Sequence, residues 1–141
     1  MTFPNNIKFS LIVTSVLAND NKILILKRSL STKTMQNKWG GISGYMEPGE
    51  DLLSRSLLEI YEETKIDKHD LILYKILDQI SLQIKADTIF LIQPFYYLSH
   101  TQKVILNWEH IEYRWISLSD IDKYEFVPRF NEILKNCFDR I

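Results

Sequence analysis

Residues 44–66 read GYMEPGEDLLSRSLLEIYEETKI, and three glutamates recur in this stretch at helical spacing. Glu62 and Glu63 follow Glu59 by three and four positions, so a helix turning about 100° per residue places all three carboxylates on one face. Each pair of like charges at this spacing costs roughly a few tenths of a kcal/mol. A bound cation would offset the repulsion, whereas a solvated helix face is the simpler alternative.

Two apolar runs precede this stretch. They cover residues 8–18 and 22–29 and are separated by the turn-forming sequence NDN, which predicts a β-hairpin. Residues 31–38 are polar and aperiodic, which indicates a loop. The four glycines of the chain then follow at positions 40, 41, 44 and 49. Backbone freedom is therefore concentrated immediately before the acidic helix, where a sharp turn or a close approach to a ligand would need it.

The acidic helix is expected over residues 50–64. Pro48 and Gly49 precede it, and the carboxylates of Glu50 and Asp51 are expected in its first turn, where the helix dipole favours negative charge. A second face, roughly opposite the glutamates, carries the apolar residues Leu53, Leu57 and Ile60. One side of the helix is thus predicted to pack and the other to face solvent or a ligand.

The remainder of the chain predicts further strands and a terminal helix. Strand-like segments rich in β-branched and aromatic residues cover residues 71–85, 88–100, 103–107 and 112–118. Ser119 is a candidate cap for a short helical turn, and helical spacing of apolar residues predicts a final helix over residues 129–140. This order of elements favours an α/β fold in which helices cover a mixed sheet, within a single domain spanning residues 1–141.

Charge and composition exclude several classes of partner. The 141 residues include 17 basic and 18 acidic side chains, and this balance provides no global field for a nucleic acid polymer or an acidic membrane. The single cysteine, Cys137, has no partner for an internal disulfide, which favours a reducing cytoplasm. The chain start lacks the pattern of a signal peptide, and no apolar run has membrane-spanning length. We therefore expect a soluble, cytoplasmic protein.

The context of the three glutamates favours a metal site over a solvated surface. Glu47 and Glu50 add two further acids beside the glycine-rich entry to the helix. Clustered carboxylates near free backbone carbonyls suit a hard divalent cation such as Mg²⁺, which prefers oxygen ligands and retains waters that substrate phosphates can replace. Such an ion can activate water and neutralise charge that builds on phosphorus.

Residues 44–66 resemble the Nudix box, whose pattern is G, five residues, E, seven residues, then R-E-U-x-E-E-x-G-U with U aliphatic. Seven of the nine defined positions match, namely Gly44, Glu50, Glu59, Ile60, Glu62, Glu63 and Ile66. The flanking segments KRS, KWGG and WEHIEYRWISLSDI are also similar to those of Nudix hydrolases. The resemblance covers nearly the full chain and implies a Nudix-type α/β/α sandwich with a central mixed β-sheet. It also implies hydrolysis of a diphosphate linkage by a metal-activated water.

Roles for the acidic residues follow from the resemblance. It implies that Glu62 and Glu63 are metal ligands and that Glu59 is either a ligand or the base that deprotonates water. Gly44 would lie in the turn beside the metal, where its backbone carbonyl or that of Ser43 is a possible ligand, and Glu50 would organise the site. A fourth acid usually comes from a later loop. Glu109 is the candidate because its segment resembles that of nucleoside and pterin triphosphate pyrophosphohydrolases, and Glu112 is the competitor.

Two positions depart from the Nudix box. Leu58 occupies the place of an arginine that would pair with a carboxylate of the box, and Lys65 replaces the last glycine. Arg55 lies one turn before Glu59 on the same face, so we predict that its guanidinium supplies the missing charge. Lys65 would adopt a left-handed cap at a cost of roughly 1 kcal/mol or end the helix differently.

Substrate contacts are predicted at cations and aromatic rings near the glycine loop. The candidate phosphate ligands are Lys27, Arg28 and Lys38. The candidate faces for a base or pterin ring are Trp39, Trp108, Tyr97 and Tyr113, although an aromatic residue in a strand is more often part of the core. The three histidines, His69, His100 and His110, lack a zinc-like spacing and are interpreted as surface residues or as residues with satisfied hydrogen bonds.

The sequence therefore predicts a Mg²⁺-dependent, or Mn²⁺-dependent, pyrophosphohydrolase acting on a small nucleotide-like diphosphate. A Nudix-fold nucleotide-binding protein that lost turnover through Leu58 is the main alternative, and an isoprenoid diphosphate isomerase is weaker because no cysteine lies near the box. The sequence does not choose among deoxynucleoside triphosphates, pterin triphosphates, dinucleoside polyphosphates and nucleotide sugars. Many Nudix enzymes dimerise, so a homodimer also stays open.

Overall fold

The computed structural model describes residues 6–138, in which eight strands form one mixed sheet that lies between two helices. The strands before the first helix are β1 (Lys8–Asn19), β2 (Lys22–Arg28), β3 (Trp39–Gly40) and β4 (Ile42–Tyr45). The helices are α1 (Leu52–Thr64) and α2 (Phe130–Cys137). The strands between them are β5 (Leu71–Ile76), β6 (Ile80–Lys85), β7 (Thr88–Ser99) and β8 (His110–Ser117).

Strand β1 lies at the centre of the sheet. One of its edges pairs with β7 in parallel over eleven register positions, and the other pairs antiparallel with both β2 and β4. Strand β2 also pairs with β3 and β8, while β5 and β6 both pair with β7. The predicted β1–β2 hairpin is confirmed, and its turn residues Asp20 and Asn21 both have positive φ, as a tight two-residue turn requires.

The two faces of the sheet carry separate cores because successive residues of β1 point to opposite sides. Val13 and Leu17 pack in a cluster with Ile60 of α1, whereas Val16 and Ala18 pack in a second cluster with α2. The apolar residues that α2 contributes are Phe130, Ile133, Leu134 and Cys137. The predicted α/β/α sandwich with a central mixed sheet is therefore confirmed.

The structure corrects two strand predictions. Residues 71–85 form two strands, β5 and β6, which pair with different parts of β7. Residues 103–107 are not a strand, although their β-branched composition predicted one. Val104 is buried in the core, and the amide of Ile105 donates to the carbonyl of Thr64 at the end of α1. This segment thus bonds to the helix terminus instead of to a neighbouring strand.

Three helix boundaries also differ from their predictions. Helix α1 begins at Leu52, because the Asp51 side chain caps it by accepting from the amide of Ser54, so Asp51 and Glu50 precede the first turn. A short 3-10 helix spans Leu118–Lys123, and its cap position is Ser117 instead of Ser119. Helix α2 ends at Cys137, and residues 139 and 140 of the predicted helix lie outside the described residues.

Helix α1 ends in a left-handed residue, as one of the two sequence alternatives predicted. Lys65 has φ 62° and its amide donates to the carbonyl of Tyr61 at 2.9 Å. A lysine in this conformation costs roughly 1 kcal/mol relative to the glycine of the usual box. Within residues 6–138, neither helix has the length and apolarity needed to cross a bilayer.

Candidate active site

Helix α1 holds two of its glutamates out of contact with water. Glu59 and Glu63, one turn apart, keep only 8% and 1% of their surface exposed, whereas Glu62 faces solvent. Carboxylates are rarely buried to this extent without a partner, because removing a charge from water is costly. The predicted acidic face is therefore partly an interior surface, with Glu62 at its outer edge.

Gly44 of β4 lies directly against the Glu59 carboxyl group. A Cβ atom at position 44 would come within 2.2 Å of the Glu59 carboxyl carbon, which no real side chain tolerates. The glycine is thus required by close packing, since its φ is not in the left-handed region. The sheet and the helix consequently meet at the backbone of Gly44, and this contact fixes where Glu59 lies.

Arg55 forms ion pairs with two acids of the box. Its Nη1 donates to Glu59 Oε1 at 2.9 Å, while Nε and Nη2 donate to the two oxygens of Glu50 at 3.0 and 2.5 Å. Glu50 also accepts from the amide of Glu47, and these contacts lower the pKa of Glu50. The predicted contact between Arg55 and a carboxylate of the box is therefore present. Leu58, at the usual arginine position, is 43% exposed.

Glu109 is distant in sequence from the buried glutamates of α1 but lies close to them in the fold. Ser29, just after β2, donates from its amide to the carbonyl of Glu109 and from its hydroxyl to that of Trp108, which anchors the turn before β8. Burial and then the charge of Glu59 raise the pKa of Glu109, Arg28 lowers it, and Glu62 raises it further. The Glu109 carboxyl group therefore lies within electrostatic reach of two acids of the box.

The competitor, Glu112, belongs to a different environment. Its carboxylate forms an ion pair with Arg114 on the same strand, with Oε2 2.7 Å from Nη2. Glu112 is only partly buried and does not line the cavity described below. The geometry thus brings Glu109, and not Glu112, to the acids of α1.

Glu63 is the most deeply buried acid of this cluster, with 1% of its surface exposed. Burial is the main cause that raises its pKa well above the usual range, followed by hydrogen bonding to Glu59 and by the charge of Glu109. Its Oε2 atom is buried without a hydrogen-bond partner. Such a group gains by any change that supplies positive charge or a donor.

A cavity of about 260 Å³ opens beside these residues on the α2 side of the sheet. Its polar lining includes Arg28, Glu109, Ser43 and Thr14, and the last two share a hydrogen bond of 2.9 Å between their hydroxyls. Its apolar lining comes from β1, β4, β6, β7, α2 and nearby loops: Ile12, Met35, Tyr45, Leu82, Ile84, Phe90, Ile92, Val127, Pro128, Phe130 and Ile133. The space suits a mostly apolar ring with an anionic group near Arg28.

Only one of the three predicted cations lines this cavity. Arg28 lies in its wall, whereas Lys38 pairs with Glu125 at 2.6 Å and Lys27 lies 5.9 Å from the ring centre of Trp39. Arg28 is also the cation that opposes the raised pKa values of Glu63 and Glu109. Of the three, Arg28 is the one that lies beside the acids.

None of the four predicted aromatic residues lines the cavity. Trp39 is buried, with its ring beside Tyr124 and the guanidinium of Arg114. Tyr97 is a core residue whose hydroxyl bonds to Ser56, and Trp108 and Tyr113 are exposed. The cavity instead takes Tyr45, Phe90 and Phe130, which the alternation of residues along β4 and β7 and the period of α2 could have indicated.

His110 differs from its sequence interpretation. His69 and His100 are exposed, as predicted, but His110 is buried and its Nδ1 atom has no hydrogen-bond partner. That atom lies 3.7 Å from Oε1 of Glu63. Burial and the charge of Arg28 lower the pKa of His110 to about 4. No periodicity could have revealed this contact, because it depends on how β8 packs against α1.

The donor atoms of this site fit a hard cation, although they do not surround one. Within residues 6–138, no group of three or more His, Cys, Asp or Glu side chains is spaced to hold a metal ion. Glu59 is instead held by Arg55, whose Nη1 donates to Glu59 Oε1. The chemistry of the cluster nevertheless suits a divalent cation, because hard cations prefer carboxylate oxygens and Glu63 Oε2 has no other partner.

Comparisons with known proteins point to one family. The family model described as NUDIX domain matches residues 8–137. Among solved structures, the MutT protein from Methanosarcina mazei Go1 is 27% identical, with a TM-score of 0.81 and coverage of 97% of both chains. No curated protein is similar enough in sequence to count as a match.

Two further solved structures share the fold at lower identity. A C. elegans Ap4A hydrolase in a binary complex is 20% identical, with a TM-score of 0.74 and coverage of 91% of this chain and 94% of its own. The E. coli dihydroneopterin triphosphate pyrophosphohydrolase is 16% identical, with a TM-score of 0.75 and coverage of 89% of this chain and 92% of its own.

Gly44→Ala should destabilise the protein through its contact with Glu59. The new Cβ overlaps the buried carboxyl group, and overpacking of this kind costs about 1–3 kcal/mol. Urea unfolding measures the loss. The matched control is Gly40→Ala, whose Cβ meets only the methyl groups of Val127, at 3.2 and 3.8 Å, and should cost less. Adding Glu59→Ala should recover part of the loss, and strict additivity in this double-mutant cycle would contradict the assignment.

Proposed function

This chain belongs to the Nudix family, and on that premise we propose that it hydrolyses a diphosphate linkage in a small nucleotide-like substrate with the help of a divalent cation. The observation that carries the proposal is the proximity of Glu59 and Glu63 to Glu109, which lines the cavity together with Arg28. Two of these acids come from α1 and the third from the turn before β8. A merely solvated helix face would not recruit the third acid.

Nudix proteins generally use divalent cations, and Mg²⁺ is our proposal here, with Mn²⁺ as a substitute. Glu59, Glu62 and Glu63 would hold the ion, together with a backbone carbonyl at Gly44 or Ser43. When bound, the ion would offset phosphate charge and lower the pKa of water. The unpartnered oxygen of Glu63 and the raised pKa of its carboxyl group support this assignment.

The residues of the chain divide the remaining chemistry among themselves. Water adds to phosphorus, the bridging phosphorus–oxygen bond breaks, and two phosphate products leave. We assign the proton released by water to a carboxylate oxygen of Glu109, because its raised pKa makes it a better base than an exposed acid. Glu59 is the alternative acceptor. Arg28 binds a substrate phosphate, and Arg55 orients Glu59 while Glu50 orients Arg55.

The cavity on the α2 side would take the part of the substrate that carries no phosphate. The C. elegans and E. coli proteins share only the fold with this chain, so their named substrates do not select one class. The candidates are dinucleoside polyphosphates, pterin triphosphates, deoxynucleoside triphosphates and nucleotide sugars. Lys38, Trp39 and Tyr113 lie outside the cavity and would touch only a substrate that extends beyond it. A cytoplasmic setting would supply such nucleotides, and no membrane or nucleic acid polymer is required.

A binding protein without turnover is the second candidate. Leu58 favours it, because the usual arginine of the box is absent. The contacts of Arg55 with Glu59 and Glu50 argue against it, since they place a guanidinium on the acids from a different helix position. Retention of the costly buried pair Glu59 and Glu63 also favours an active site.

The test of the function is a panel of the four candidate substrate classes with Mg²⁺, scored for phosphate, pyrophosphate and monophosphate release. With the best substrate, Glu62→Gln and Glu63→Gln should each lower turnover more than about tenfold and weaken Mn²⁺ binding. Glu63→Gln should leave the free energy of unfolding unchanged or higher, because a neutral amide replaces a buried acid. Absence of turnover in the parent with tight nucleotide binding would favour the binding protein.

Glu109→Gln should lower kcat more than about a hundredfold with little change in KM, because a general base contributes mainly in the transition state. Steady-state kinetics on the best substrate measure this split. Glu112→Gln is the matched control, since it changes an acid of the same strand region that pairs with Arg114. A larger effect at Glu112 would transfer the role, and indifference at both positions would remove Glu109 from the mechanism.

Arg55→Ala should reduce kcat about ten- to a hundredfold, with a smaller change in KM, because loss of an orienting contact to a ligand has this cost. Leu58→Arg added to Arg55→Ala should restore part of the rate, since position 58 is 43% exposed and accepts a long polar side chain. A change in kcat below about twofold in Arg55→Ala would show that the observed contacts with Glu50 and Glu59 serve stability alone.

A further inference from the structure

His110 lies beside the innermost acid of the site. Its side chain and that of Glu63 are 2% and 1% exposed, and Nδ1 is 3.7 Å from Oε1. We propose that His110 is a positioning residue for Glu63 and that its Nδ1–H donates a hydrogen bond to the Glu63 carboxylate when the site is loaded. This inference rests on the proposed function, because it concerns how one proposed metal ligand is oriented.

Each of the two side chains has one buried polar atom without a hydrogen-bond partner. Within residues 6–138, the buried side-chain nitrogen and oxygen atoms without a hydrogen bond are Ser15 Oγ, Glu63 Oε2 and His110 Nδ1. Two of these three belong to the pair in question. A buried polar atom without a partner destabilises the folded protein. The separation of 3.7 Å between His110 Nδ1 and Glu63 Oε1 exceeds a hydrogen bond by about half an ångström, so a small side-chain movement would let Nδ1 donate to the Glu63 carboxylate.

The fold brings His110 to this place together with Glu109. Strand β8 begins at His110, which pairs in register with Arg28 at the end of β2, next to an irregularity in the pairing. Glu109 lines the cavity while the next residue packs beneath Glu63. The adjacent residues Glu109 and His110 therefore both contact the surroundings of the acidic cluster, the first from the cavity and the second from beside Glu63. Buried core positions are ordinarily occupied by apolar residues. A histidine at this position leaves its Nδ1 atom buried without a hydrogen bond.

A hydrogen bond at this position would fix the orientation of Glu63. Arg55 serves Glu59 and Glu50, and none of its hydrogen bonds reaches Glu63. An N–H on Nδ1 is available in the neutral imidazole as one tautomer and in the charged form as well, so the contact does not depend on the protonation state. Partners that orient metal ligands typically contribute ten- to a hundredfold in metal affinity or activity.

Three substitutions of His110 in the full chain separate orientation from packing. Asn places an N–H near the position of Nδ1, Gln extends its amide to the region of Nε2, and Leu fills space without a donor. We expect His110→Leu and His110→Gln to weaken Mn²⁺ binding ten- to a hundredfold, measured by calorimetry and by electron paramagnetic resonance of free Mn²⁺. His110→Asn should stay within about threefold of the parent. His100→Leu, at an exposed histidine, is the matched control and should bind Mn²⁺ like the parent.

A second measurement tests the tautomer in the parent protein. Long-range proton–nitrogen NMR spectra of the histidines, assigned with His110→Asn, should show the His110 proton on Nδ1 once Mg²⁺ saturates the site. A proton found only on Nε2 would overturn the proposal, and this result does not require that any variant folds. Equal loss of Mn²⁺ affinity in folded His110→Asn and His110→Leu would also overturn it, because packing would then be the cause.

Failure of this inference is distinguishable from failure of the proposed function. If the parent binds Mn²⁺ and hydrolyses its substrate, and His110→Leu binds Mn²⁺ equally well, only the role of His110 is lost. If the parent binds no Mn²⁺, both the metal-dependent function and the positioning role are overturned.

Discussion

The contact between the Glu59 carboxyl group and the backbone of Gly44 is the constraint on which the rest of the site depends. It brings helix α1 so close to strand β4 that no side chain fits between them. Glu59 is thereby held in the interior, with only 8% of its surface exposed. Arg55 can then reach Glu59 and Glu50 at once, because both acids are fixed relative to the helix.

The site retains an energetic cost that the fold compensates elsewhere. Two buried glutamates one turn apart repel each other, and the guanidinium of Arg55 offsets the charge of Glu59 at 2.9 Å. Ile60 and Ile66 lock the same helix into a well-packed core, and Ser56 bonds to Tyr97 beneath it. Packing of the apolar residues thus compensates for the unfavourable burial of the two glutamates. Such a trade-off between stability and activity is common at functional sites.

Strand β4 contacts both the buried glutamate Glu59 and the cavity on the opposite face of the sheet. Neighbouring residues of a strand point to opposite faces of the sheet, so Gly44 meets Glu59 on the α1 side while Ser43 meets Thr14 on the cavity side. Glu109 and His110 repeat this division at the start of β8, one beside the cavity and the other beside Glu63. A substrate that fills the cavity is therefore only one peptide unit away from the acids that would act on its phosphates.

The sequence by itself determined the family, the sandwich fold and the acidic helix, because these depend on local periodicity and on a long motif whose spacing survives in the chain. It also indicated that Arg55 would meet Glu59, since residues four apart on a helix are neighbours. Tertiary structure alone decided which acid joins the cluster, which cation lines the cavity and which aromatic rings surround it. Arg28, Phe90 and the adjacent pair Glu109 and His110 come from separate parts of the chain, and only the packing of the sheet fixes the distances between them. The prediction of a strand at residues 103–107 was wrong because local composition does not show whether a neighbouring strand is there to pair with it.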